Sequence, residues 1–157
     1  MLRRQLLPLA LMYAHHEEPI EGRTRLQKMI FLLQKKFEED DGGLPISDKY
    51  NFTAYDYGPF SQPLYADLDE LRGEDSDKNK LVVERSDTFD RGKVKYRYEL
   101  TPAGTTFIED ELADDAKFQE ILRRAEEIKE EFNHLSLSQV IERVYSEYPE
   151  YAENSVL

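Results

Sequence analysis

The sequence predicts an α+β fold in which three helices precede a β-hairpin and further helices follow it. Three observations predict this. Apolar residues recur at helical spacing in three stretches before residue 72, the period changes to two between Leu81 and Leu100, and helical spacing returns after Thr101. With 157 residues the chain is one domain in length, enough to bury roughly 68–70% of its unfolded surface.

The first helix is expected to start near Leu2, with Leu6, Leu9 and Tyr13 on one face. Two arginines before a short apolar run also begin a secretory signal, but no small-residue cleavage site follows here. After a polar loop from His15 to Gly22, Thr24-Arg25-Leu26-Gln27 has the form of a capping box. Leu26, Met29, Ile30, Leu33 and Phe37 then form an apolar stripe, with Arg25, Lys28, Lys35 and Lys36 elsewhere around a helix that ends near Gly42-Gly43. An extended, aromatic stretch starts at Tyr50 and is broken by Gly58-Pro59. Ser61 is placed to cap a third helix, Pro63 fits its first turn, and Leu64, Leu68 and Leu71 are its buried stripe.

Leu81 to Arg85 reads as one strand of the hairpin. Val94, Tyr96, Tyr98 and Leu100, alternating with Lys93, Lys95, Arg97 and Glu99, read as the other. Thr101-Pro102 has the cap-then-proline order of a helix start. A long acidic helix follows, with Phe118, Ile121, Leu122, Ala125, Ile128 and Phe132 on its apolar face. Ser136 to Gln139 is a second capping box, and the last helix buries Val140, Ile141, Val144 and Tyr145 before Pro149 stops it. Three helices, a hairpin and a helix beginning YELTPAG make the plan winged-helix-like, with the hairpin as wing. The expected organisation is a winged-helix-like domain over 1–112 and an acidic helical extension over 113–157 packed on the same domain.

Charge restricts the function. A net charge of −12 repels phosphate and argues against general binding of nucleic acid or anionic membrane. The chain has no cysteine, hence no disulfide, thiolate metal site or cysteine nucleophile, which suits a cytoplasmic protein. No apolar run approaches the ~20 residues of a membrane span. Residues 109–131 hold ten acids and four bases, a net of −6. The third helix carries Asp67, Asp69 and Glu70 against Arg72, an unfavourable set beside a DNA backbone. The wing is the reverse, with Arg91, Lys93, Lys95 and Arg97 in seven residues and Arg85 on the partner strand. Its bland reading is a hairpin whose basic outer face blocks edge pairing; its functional reading is a phosphate- or partner-binding wing.

No catalytic constellation is present. The chain has no phosphate-binding glycine loop and no nucleophile elbow, and no cofactor is expected. His15-His16-Glu17-Glu18 invites a metal reading, but adjacent loop residues rarely converge on one ion, so no metal site is expected either.

The aromatic stretch is the candidate site. Tyr50, Phe52, Tyr55, Tyr57, Phe60 and Tyr65 cluster around one reversal. Packing alone accounts for several of them, at about 1.5–3 kcal/mol for each large side chain buried. All of them do not fit around one turn, and surface tyrosines beside a rigid turn suit protein contacts. Phe52 and Phe60 are assigned to the core, Tyr55 and Tyr57 to the surface. Bases stacking there would meet Asp56 and Asp67.

Two stretches, RTRLQKMIFLLQ and YDYGPFSQPLY, resemble the Panacea superfamily of SocA-like antitoxins and the related YwgA-type proteins. The matching positions are Leu26, Gln27 and Lys28, then Tyr57, Gly58 and Pro59, and the resemblance covers roughly residues 2–112. It implies a non-enzymatic module that neutralises a partner toxin or acts as a proteolytic adaptor. The acidic helices beyond Leu112 depart from that pattern. The expectation is a protein-interaction or regulatory module, antitoxin- or adaptor-like, with partner contacts at Tyr55, Tyr57, Gly58 and Pro59. The alternative is a DNA-binding regulator using Arg85, Arg91, Lys93, Lys95 and Arg97; a homodimer is compatible with both.

Overall fold

The first long helix has no polar face to offer solvent, and the fold places it accordingly. In the computed structural model, which describes residues 1–73 and 80–156, a single 3-10 turn leads into α1 (Leu6–Glu17). Leu6, Leu7, Leu9, Ala10, Leu11 and Met12 are all buried, so α1 is covered on every side rather than along the one face expected from its spacing. Helices α2 (Arg23–Asp40) and α5 (Ala116–Phe132) pack along it.

The fold is mixed α+β. Strand β1 (Ile20–Glu21), β4 (Val82–Phe89) and β5 (Lys93–Leu100) form an antiparallel sheet in the order β1-β5-β4. Ile20 lies opposite Tyr98, and the hairpin pairs from Val82–Leu100 at its root to Phe89–Lys93 at its tip. The polar loop expected before α2 therefore contains the strand β1. Alternation predicts one buried face on β5, but only its root conforms. Tyr98 and Leu100 are buried, whereas Val94 and Tyr96 are 46% and 48% exposed because the hairpin runs out past the helices beneath it.

A second, two-stranded sheet joins β2 (Thr53–Tyr55) to β3 (Gly58–Phe60), so the chain reverses at Asp56-Tyr57, just before the Gly-Pro pair. Helix α3 (Gln62–Leu71) follows, with the Ser61 hydroxyl accepting from the Leu64 amide. Helix α4 (Pro102–Phe107) is capped by Thr101 and runs on through a π-helical turn at Ile108–Leu112. The acidic helix is broken there, because the Asp115 carboxylate accepts from the Phe118 amide and starts α5 afresh. Helix α6 (Leu137–Glu147) begins with the Ser136–Gln139 capping box, both hydrogen bonds present. One hydrophobic cluster draws from α1, α2, α3, the sheet, α5 and α6, and so spans both sides of position 112.

Gly104 has a packing reason. A Cβ there would lie 2.1 Å from the Leu81 carbonyl oxygen, so the α4 first turn sits directly on the strand root. Gly104→Ala is expected to destabilise the fold by about 1–3 kcal/mol or more, measured by urea unfolding. Helix propensity alone would favour alanine at this position, so a loss of stability isolates the steric contact.

Candidate functional site

Helix α2 carries Arg25, Gln27, Lys28 and Gln34 at 6% exposure or less, although a helix facing a core is expected to bury apolar residues only. Each holds the backbone of a neighbouring segment. The Gln27 Oε1 accepts from the Ser61 amide at 2.6 Å, and the Lys28 Nζ donates to the Pro59 carbonyl at 2.9 Å. Gln34 pairs with both the amide and the carbonyl of Tyr50, each at 2.9 Å, in the manner of a strand neighbour. The Arg25 Nη1 donates to the Phe132 carbonyl at 3.0 Å. The capping-box reading of Thr24 to Gln27 is therefore corrected: Gly22, at φ +86°, is the N-cap, and Gln27 instead ties down the start of α3. The two stretches quoted above, around Gln27-Lys28 and Tyr57-Gly58-Pro59, meet in space.

The β2–β3 hairpin is clamped on its other side by the C-terminal segment. The Val156 amide donates to the Asp56 carbonyl at 2.9 Å, and the Asn154 side chain to the Ala54 carbonyl at 3.2 Å. Behind it, Phe31 on α2 packs edge-on against Phe52, Tyr148 and Tyr151, with ring centroids 4.7–5.3 Å apart. Tyr50 is buried, its hydroxyl donating to Asp67 at 2.7 Å.

Held this way, the hairpin presents Tyr55 and Tyr57 outward, 55% and 47% exposed. Phe52 and Phe60, both assigned to the core from sequence, are half-buried, and Phe60 packs between the rings of Tyr55 and Tyr65 at 5.2 and 5.1 Å. Arg23 lies over the Tyr65 ring at 5.1 Å. Between hairpin and α2 is a cavity of about 220 Å³ lined by Gln27, Lys28, Tyr57, Gly58, Phe60 and Tyr65 among others. Burial pushes the Lys28 ammonium down to about 8.

The other sequence candidates are placed differently. On the wing, Arg85 pairs with Glu99, Lys95 with Glu21 at 3.1 Å and Arg97 with Asp87 at 2.8 Å, while Arg91 and Lys93 lie exposed at the tip. The acids of α3 are engaged as well. Asp67, read from sequence as a surface charge, is buried between Arg4 Nε at 2.7 Å and Tyr50, and Asp69 pairs with Arg23 at 2.9 Å and Arg72 at 3.2 Å. His15 does not meet His16 around a common point; it turns toward Glu18 and toward His134, which the sequence does not connect with it. The chain matches no family model and no curated protein.

Two expectations follow. Gly58 sits at φ +98°, where a Cβ would lie 3.1 Å from the Tyr145 ring, so Gly58→Val is expected to cost about 1–3 kcal/mol in urea unfolding. Lys28 gives a pH signature. The unfolded chain keeps this proton up to about pH 10.4, whereas the folded chain releases it near 8, so stability rises with pH between those values. Below that window the cost of burying the charge is felt in full. Above about pH 10 the sign reverses, because Tyr50, Tyr98 and Tyr148 hold their protons only in the fold. Urea midpoints across this window should rise less in Lys28→Met than in wild type; equal rises would remove Lys28 as the source.

Proposed function

We propose that the protein is a non-enzymatic interaction module that docks a partner protein through the β2–β3 hairpin, with Tyr55 and Tyr57 as anchors. The observation that carries this reading is the contrast between the two sides of the hairpin. Its backbone is tied by Lys28 and the C-terminal segment, and Gln27 fixes the residue that follows it, while its two tyrosines reach solvent. Rigid aromatic side chains on an ordered turn lose little entropy on binding and supply large contact areas, which is the character of interface hot spots. The likeness to SocA-like antitoxins points the same way, toward an antitoxin or adaptor that recognises one partner.

The arrangement of α1, α2, α3 and the β4–β5 hairpin supports a winged-helix-like plan, with β1 widening the root of the wing. That plan also carries the second reading, a DNA-binding regulator. Arg91 and Lys93 at the wing tip favour it; the pairing of Arg85, Lys95 and Arg97 with carboxylates weighs against it, since each pair must open before a phosphate is met. We rank it second for that reason.

Tyr55→Ala and Tyr57→Ala test the first reading. Both are expected to unfold within about 0.5 kcal/mol of wild type, as exposed positions do, and to lose proteins that wild type retains from native lysate. Losses of several kcal/mol in both would make the hairpin a folding joint. For the second reading, four wing contacts would give a slope of log K against log salt near −3.6. The interaction reading expects duplex binding weaker than about 10⁻⁶ M, with Lys93, Lys95 and Arg97 all changed to Gln making little difference.

A further inference from the structure

The end of α1 is built in a conformation that L-residues avoid. His15, His16 and Glu17 have φ values of +56°, +57° and +59°, a left-handed turn that crowds each Cβ against the following carbonyl oxygen. Two side chains of α5 and one of α4 hold it there. The buried Lys129 donates to the Met12 and Ala14 carbonyls at 3.3 and 2.7 Å, Glu126 accepts from the His15 amide at 2.9 Å, and the Thr105 hydroxyl donates to Glu17. A right-handed continuation of α1 would carry the His15 ring elsewhere. The left-handed turn instead brings it back to Glu18, with His15 Nδ1 3.6 Å from Glu18 Oε2. From the α5–α6 connection, His134 Nε2 comes within 2.9 Å of Glu18 Oε1. The three ligand atoms lie within 4.8 Å of one another.

We propose that His15, Glu18 and His134 bind one divalent transition-metal ion, which clasps the end of α1 to the α5–α6 connection. The donors are two imidazoles and one carboxylate, a set that suits zinc and its first-row neighbours and not the all-oxygen shells of calcium or magnesium. Around a metal with bonds near 2.0–2.2 Å, neighbouring ligand atoms of a tetrahedron stand about 3.3–3.6 Å apart. The 2.9 and 3.6 Å contacts reach different oxygens of Glu18, and one ligand atom from each residue lies within 4.8 Å of the others, so side-chain rotations bring three donors to the corners. The exposure of the imidazoles leaves the fourth corner to water. Glu18 is oriented by the Asn133 amide, which donates to its Oε1 at 2.6 Å in the way outer groups fix a ligating carboxylate. Glu17 and Glu126 add negative charge nearby, and Lys129 opposes them, with its Nζ turned to the two carbonyls. His16 is not part of the set.

Untagged full-length chain, stripped with a chelator, is titrated with Zn²⁺ by calorimetry and melted with and without the ion. One Zn²⁺ per chain and a rise in melting temperature are expected, since an ion that binds only the folded state stabilises it. His134→Ala and Glu18→Gln should each weaken binding at least about tenfold and abolish the thermal shift while melting like wild type without metal. His15→Asn should do the same, because asparagine tolerates the left-handed backbone, and His16→Asn should leave binding intact. A dissociation constant weaker than about 100 μM for wild type, or binding unchanged in both His134→Ala and Glu18→Gln, would overturn the site.

Discussion

The polar groups buried along α2 are the constraint on which the rest of the structure depends. Segments that are neither helix nor long strand have backbone amides and carbonyls with no regular partner, and burying them unsatisfied costs about 1–3 kcal/mol each. In this protein the loop at Tyr50, the Gly-Pro strand and the start of α3 all pack inside. Gln34, Lys28 and Gln27 supply what those segments lack, all from one helix. Without them the stretch between α2 and α3 would have to solvate itself, and the hairpin would lose its fixed orientation. Lys129 does the same for the turn that ends α1.

This arrangement joins stability to recognition. A lysine buried to 2% exposure is a costly group, and its folded-state proton affinity falls because water no longer surrounds it. It persists because the carbonyl it holds is the one that places the hairpin. The exposed face then acquires rigidity from contacts it does not itself make. Tyr55 and Tyr57 are solvent-facing, yet their backbone is fixed from α2 on one side and from the C-terminal segment on the other.

Electrostatics follow the same economy of pairing. The chain is strongly acidic, but the charges of α3 and of the wing are largely neutralised by neighbours in the fold. Asp67 and Asp69 on α3 face arginines, and three wing cations face carboxylates across or beside the sheet. A stretch of like charge in sequence is not a patch of like charge in space, because residues two apart on a strand meet different partners from the adjoining strands.

The sequence by itself determined the helices, the hairpin, the caps at Ser61, Thr101 and Ser136, and the exposure of Tyr55 and Tyr57, since periodicity and turn chemistry are local. It marked Gly58 as a point of backbone freedom for the same reason, and φ +98° is what a glycine is needed for. Only the tertiary structure decided which polar residues went inside. Nothing local distinguishes Lys28, buried on Pro59, from Lys36, half-exposed on the same helix. Strand β1 escaped because two residues carry no period, and its pairing is set by Tyr98, more than seventy positions away. His134 joined His15 and Glu18 for the same physical reason: where these side chains meet depends on how α1 and α5 pack, and no spacing along the chain encodes it.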